Sequence, residues 1–229
     1  MSYRTGSSDE RRAWLAEKIL LLCDATRALP SHEAIAGKLG VSGTRLHEAM
    51  SRLLACGAIK VRTRLGMRVL QEDQWQIVDG DVVRWCLSFD TDGAFRADIV
   101  ALRRAFEPIA ASDAAQGATA EDRTRIISAC ANRMHAKTLG AYLQAQDELH
   151  AAVMAASPNR IMRQMACLVS PLYHSTAADN TVPIRVEGDW PALAMLTLAM
   201  RDRDPIAARE AMEQINTFDL PHIPSKRCV

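Results

Sequence analysis

The stretch Val41–Val69, VSGTRLHEAMSRLLACGAIKVRTRLGMRV, decides how this chain is read. Leu46, Ala49, Met50, Leu53 and Leu54 recur at i, i+3, i+4, i+7 and i+8, which lays an apolar stripe along one side of a helix. Arg45, Glu48 and Arg52 fall on a different stripe, turned toward a partner. Ser42 stands where an N-cap belongs and Gly57 where the helix must stop. Beyond it Ile59, Val61 and Thr63 alternate, and Gly66 turns the chain back through Met67 to Val69, which predicts a small hairpin.

Working upstream, residues 9–25 predict a first helix, capped by Ser8 or Asp9, with Leu15, Ile19 and Leu22 at helical spacing. Leu29-Pro30-Ser31 breaks it. Ser31 caps a short second helix through Leu39, and Gly40 ends that one. The order helix, helix, turn, helix, two strands predicts a winged helix-turn-helix, an element that docks on duplex DNA. Its last helix fits the major groove and its N-terminal residues reach base edges. Arg45 is the best-placed contact, with Thr44 and His47 beside it and Arg52 further along. Arg62, Arg64 and Arg68 load the wing around Gly66, where they would touch phosphates or the minor groove and set register. Ser31 and Ser42, at helix starts, can present backbone N–H groups to phosphates. For any one of these arginines a solvated surface is an equal reading; the whole arrangement favours nucleic acid.

The charge distribution agrees. Overall net charge is +1, which discriminates nothing, but residues 1–70 carry 12 Lys+Arg against 6 Asp+Glu, while the remainder is net −5. A basic front joined to an acidic back fits a nucleic-acid-binding domain carried by something else. With 48% hydrophobic and only 5% aromatic residues, that second part reads as packed helices rather than sheet. Six cysteines are scattered singly with no zinc spacing, so they read as buried thiols in a reducing compartment. No apolar run approaches a membrane span and the N-terminus lacks a signal core, so a cytoplasmic location is expected.

The expected organisation is a winged helix-turn-helix over 1–70, a linker and connecting helix over 71–91, a helical bundle over 92–218 and a tail over 219–229. Residues 71–80 read as a hinge, followed by a short helix over Asp81–Leu87 that part-buries Val82, Val83, Trp85 and Cys86. Ala94–Gly117 puts Ile99, Leu102, Phe106 and Ile109 on one stripe, with Pro108 inside. Thr119 and Asp122 form a capping box for a helix through about His135. Helices over Ala141–Ala156 and from Ser157-Pro158 to Tyr173 follow, then a polar loop over 175–188. Asp189-Trp190-Pro191 and Asp204-Pro205 open the last two, ending near Phe218. Six helices with short connections predict an antiparallel bundle.

Two resemblances follow from these residues. LPSHEAIAGKLGVSGTRLHEAMSRLLACGAI resembles the N-terminal domain of the GntR family of bacterial transcription regulators, and DQWQIVDGDVVRWCL resembles the linker of its galactonate-type repressors. The family's arginines after VS and before EA are here Gly43 and His47. The stretches LRRAFEPIAASDAA, DELHAAVMAASPNRIM and LAMRDRDPIAAREAM are similar to the all-helical ligand domain of the FadR subfamily (the FCD domain), over about Asp98–Asn216.

That resemblance implies a mostly α protein. It also implies a divalent metal held by an Asp, a His four residues later and two further histidines, gripping a carboxylate effector. Here the four positions hold Gln146, His150, Leu193 and Ile215, an incomplete set. A shifted site using Asp147 and His150 is geometrically open. A metal-independent effector site is favoured. Gln146 and His150 share the stripe of Leu143, Val153 and Met154, so both point inward and need polar partners. Arg103 matches an arginine that the subfamily directs at the effector's carboxylate, with Arg104 as the competing assignment, and His174 is a further lining candidate.

The implied function is a ligand-responsive repressor that binds operator DNA as a homodimer and is released by a sugar acid or similar small carboxylate. The alternatives are a regulator whose degenerate sensor serves only dimerisation, and, remotely, a metal-dependent helical-bundle enzyme. The latter needs two Asp/Glu-x-x-His motifs within the bundle, and residues 92–218 hold only Asp147-Glu-Leu-His150.

Overall fold

Periodic apolar stripes and well-placed caps turn most of these expectations into helices. The computed structural model describes residues 8–62, 66–168 and 188–219. It divides into two units, Met1–Trp85 and Cys86–Val229.

In the first unit α1 (Ser8–Leu20) stops five residues short of expectation. The reason is local: the Asp24 carboxylate accepts the backbone N–H groups of Thr26 and Ala28 at 2.7 and 3.0 Å, which stabilises a loop in place of another helical turn. α2 (His32–Leu39) is capped by Ser31, whose hydroxyl accepts from Ala34, and ends at Gly40 in the left-handed region (φ 62°). α3 (Gly43–Ala55) follows with Ser42 at its N-cap, though the Ser42 hydroxyl makes no capping bond. Leu46, Ala49, Met50 and Leu53 are buried as the stripe requires, whereas Leu54 stays 45% exposed.

Gly57 (φ 70°) then turns the chain into β1 (Ile59–Arg62), paired antiparallel with β2 (Gly66–Val69) in the register Ile59 to Val69 and Lys60 to Arg68. A Cβ at Gly57 would stand 3.2 Å from the Gln74 carbonyl oxygen, so both its conformation and the space require glycine. The hinge region holds a 3-10 turn over Glu72–Gln74 and the buried Trp75, whose indole donates to Leu70 O at 3.2 Å. α4 (Gly80–Phe89) buries Val82, Val83, Trp85 and Cys86, and the Trp85 indole donates to Ala13 O of α1 at 3.0 Å.

The second unit packs α5 (Ala94–Gly117), α6 (Ala120–Met134), α7 (Leu139–Ala156), α8 (Arg160–Met165), α9 (Trp190–Asp202) and α10 (Pro205–Asp219) into a helical bundle. Thr119 caps α6 by accepting from Asp122 N at 3.1 Å, as its motif predicts. α7 starts two residues early because Thr138 caps it. α8 starts two residues late because Asn159, not Ser157, takes the first N–H groups, and a 3-10 turn over Ala166–Leu168 follows it. The remainder of the helix expected to Tyr173, and the polar loop up to residue 187, lie outside the described residues.

One expectation is corrected. Leu102 and Ile109 of α5 are each 41% exposed, and the buried face runs instead through Ile99, Arg103, Phe106, Glu107, Ala110 and Ala114. The core of the bundle is otherwise aliphatic, centred on Ile126, Leu149, Val153, Leu193, Leu196, Met212 and Ile215. No described helix is long and apolar enough to cross a membrane.

Candidate functional site

Two groups of polar side chains stand out, one on the surface of the first unit and one inside the second. On the first, the sequence at the start of α3 leaves Ser42, Thr44, Arg45 and His47 exposed on the side opposite the buried Leu46, Ala49 and Met50. Ser31, at the start of α2, is also exposed. Lys60, Arg62 and Arg68 share one face of the hairpin, since Lys60 pairs across to Arg68 and Arg62 lies two residues on. Met67 and Val69, on the other face, are buried. Arg64 lies outside the described residues.

Arg52 is differently employed. Its Nη2 donates to both oxygens of Asp79 at 2.7 Å and to Asp81 at 2.9 Å, and its Nε donates to Asp81 at 3.1 Å. Partial burial alone would lower its pKa, but the hydrogen bonds to the two carboxylates outweigh that and raise it. Asp79 Oδ1 also accepts the backbone N–H groups of Asp81 and Val82, so one carboxylate caps α4 and holds α3. Nothing in the sequence around Arg52 separates this role from DNA contact.

In the second unit, Arg103, Glu107 and His150 are completely buried. Arg103 and Glu107 lie one turn apart on α5, with Nε to Oε1 at 2.8 Å and Nη2 to Oε2 at 3.4 Å. His150 of α7 brings Nδ1 to 3.1 Å from Glu107 Oε2. Burial pushes the Glu107 carboxyl up, yet the charges and hydrogen bonds of Arg103 and His150 more than compensate and hold it well below the usual carboxylate range.

A second cluster joins three helices. Arg133 of α6 donates to Asp189, just before α9, and to the Tyr142 hydroxyl of α7, each at 2.6 Å, and its guanidinium stacks 4.8 Å from the Tyr142 ring centre. Tyr142 in turn donates to Asp189 at 3.3 Å. Tyr142, Gln146 and His150 fall at i, i+4 and i+8 on α7, so one buried stripe of that helix runs from the second cluster to the first. Gln146 Nε2, Asp189 Oδ1 and both amide atoms of Asn216 are buried with no hydrogen-bond partner among the described residues. Buried polar atoms in that condition point to a bound polar molecule or water.

Arg103, Gln146 and His150 are therefore all buried as expected, while His174 lies outside the described residues. Glu107, Arg133, Tyr142, Asp189 and Asn216 escaped sequence reasoning. The i, i+4 pairing of Arg103 with Glu107 was the available signal for the first of them.

A resident metal does not fit this donor set. Two of the four implied ligand positions are Leu193 and Ile215, both fully buried in the aliphatic core, and the guanidinium of Arg103 already occupies the carboxylate nearest His150. No group of three or more His, Cys, Asp and Glu among the described residues is arranged to hold an ion. The described cysteines form no disulfide, and burial pushes the thiols of Cys56 and Cys130 up to about 11, the condition of packing residues rather than nucleophiles.

Residues 98–217, nearly all of this bundle, match the FCD domain. The chain belongs to the FCD-domain family. Over 146 residues this FCD protein is 29% identical to the galactonate operon transcriptional repressor of Escherichia coli (strain K12), a match covering 63% of each chain. Over 150 residues it is 25% identical to an uncharacterized HTH-type transcriptional regulator, YieP, of the same organism, covering 64% of this chain and 65% of that one. The matches thus span under two thirds of either relative. A solved Streptococcus agalactiae GntR structure superposes with a TM-score of 0.47 at 19% identity, covering 90% of this chain and 97% of that one.

Proposed function

We propose that this FCD protein is a GntR-type transcription regulator that binds operator DNA through its winged helix and responds to a small carboxylate. The observation carrying this reading is the pairing of an FCD domain with a preceding unit that exposes Thr44, Arg45 and His47 at the N-terminal end of α3 beside a basic hairpin. In this reading Arg45, Thr44 and His47 read bases. Ser31, Ser42, Arg62, Arg64, Gly66 and Arg68 engage the backbone and minor groove. Arg52 acts by positioning α3 through Asp79 and Asp81. The protein works as a homodimer, because two half-sites lie about one helical turn apart. It works in the cytoplasm, and it is not an enzyme.

The effector is a sugar acid or related carboxylate held at Arg103, Gln146 and His150, with His174 as a further lining residue, and without a metal. Such a ligand brings hydroxyls for the orphaned atoms of Gln146 and Asp189, and a carboxylate that shares the Arg103 donors with Glu107. Its binding favours one of two states and thereby lowers operator affinity, which is repression relieved by ligand.

The engagement of Arg103 by Glu107 also favours a second reading, in which the sensor is degenerate and the bundle serves only dimerisation. Thermal shift against a panel of sugar acids separates the two. Stabilisation by one acid, together with release of a selected operator by that acid, is expected. No response to any acid from a protein that binds its operator leaves the degenerate reading standing.

A further inference from the structure

The first unit carries a concavity of about 250 Å³ between the Asp24–Leu29 loop and the base of the hairpin. Arg27, Lys60, Arg62 and Arg68 line it together with Thr26, Gln71 and Gln74, and among the described residues no carboxylate does. The backbone explains how four cations come to share so small a space. Lys60, Arg62 and Arg68 lie on one face of the hairpin. The loop then adds to the outer side of β2, where Leu29 N donates to Met67 O and Val69 N donates to Arg27 O. Arg27 takes up the left-handed region (φ 62°) to make that pairing, which turns its side chain over the strand end, where Nη1 donates to Leu70 O at 2.6 Å. Asp24, which accepts from Thr26 and Ala28, keeps its charge near Arg68 and offsets part of this positive charge.

Four neighbouring cations set against one nearby carboxylate still carry a net positive charge and condense anions from solution. Arg62 presents a guanidinium fork and Lys60 a point charge, Arg27 and Arg68 add the N–H groups not given to Leu70 O and Thr26 O, and Gln71 and Gln74 supply neutral donors at the rim. That is the chemistry of a phosphate site. We propose that this concavity holds a phosphodiester of duplex DNA, so that Arg27 and Lys60, which no helix-turn-helix motif marks, form a second backbone anchor beside the recognition helix. The inference rests on the protein's binding DNA. It adds that the loop before α2 belongs to the interface and fixes the register of the wing on the duplex rather than choosing sequence.

The test is the salt dependence of full-length protein binding to a short random-sequence duplex, read by fluorescence anisotropy across a potassium chloride series. Lys60→Gln removes one exposed charge without touching the core. It should reduce the magnitude of the slope of log K against log salt by ~0.9, the value for one phosphate contact. Lys137→Gln, the same change on the exposed surface of the second unit, should leave the slope alone. Arg27→Gly keeps a residue suited to the left-handed backbone and should act in the same direction as Lys60→Gln.

A Lys60→Gln protein with the slope and affinity of the Lys137→Gln control overturns the proposal while leaving DNA binding intact. Inorganic phosphate at constant ionic strength provides the other arm. If it raises the melting temperature of the unaltered protein but not of Lys60→Gln, and both bind duplex alike, the site serves a small anion and the DNA assignment is overturned. If the unaltered protein binds no duplex at any salt, the functional reading itself fails and this inference falls with it.

Discussion

Arg52 Nη2 sits 2.7 Å from each carboxylate oxygen of Asp79, a residue that also caps α4. One side chain thus ties α3 to the start of α4. The pairs are about a third exposed on the arginine side, so solvent screening limits them to roughly 0.5–1 kcal/mol, and the lost cap adds about 1. Asp79→Ala should therefore cost about 1–2 kcal/mol in urea unfolding. A change within a few tenths would mean that the carboxylate holds neither helix.

Arg45→Ala should weaken binding to the preferred operator by ~1–3 kcal/mol and flatten discrimination among related sequences. Selection of bound sequences followed by competition binding measures both. Unchanged affinity and unchanged discrimination would remove Arg45 from the interface.

Arg103→Ala should destabilise the protein by roughly 3–5 kcal/mol, because the buried Glu107 loses its guanidinium partner and keeps only His150. Arg103→Met combined with Glu107→Leu should recover most of that loss, since a well-packed apolar pair replaces a buried ion pair at little cost. Denaturant titration of both variants decides the matter. A double variant as unstable as the single one would show that the pair is needed for the fold itself.

The Glu107 carboxyl also sets a pH dependence. Its folded-state value is depressed from 4.5 to about 2, so the stabilisation it supplies is fully present above the ordinary carboxylate value. It is lost as pH falls from there through about 2. Melting temperature should drop over that interval, and less steeply in Glu107→Gln, which has no proton to gain. Parallel profiles for the two proteins would assign the acid sensitivity to other carboxylates.

Gln146→Leu offers a direct reading of the proposed effector site. The Gln146 Nε2 has no partner among the described residues, so replacing it with an apolar side chain of similar size should leave the ligand-free melting temperature unchanged or raised. The same change should abolish stabilisation by any sugar acid that stabilises the unaltered protein. A lowered ligand-free melting temperature would mark Gln146 as a structural residue.

Periodicity and caps alone determined the helical elements, because those signals are local. Leu46, Ala49, Met50 and Leu53 announce the buried side of α3, and Ser31, Gly40, Thr119 and Asp204 mark helix ends by hydrogen bonds made within a few residues. Asn159 and Thr138 carried the same kind of signal and move two helix starts by two residues each. The inward side of α5 was a different matter. Sequence reasoning takes Leu102 and Ile109 as core and charged residues as surface, but Arg103 and Glu107 neutralise each other beside His150 and so can be buried in their place. That exchange depends on a partner 43 residues away from Glu107 on another helix, as the union of Arg133 with Asp189 and of Arg52 with Asp79 depends on partners on other elements. The energy of a buried or half-buried charge is fixed by whichever group faces it. Only the tertiary structure brings that group into place.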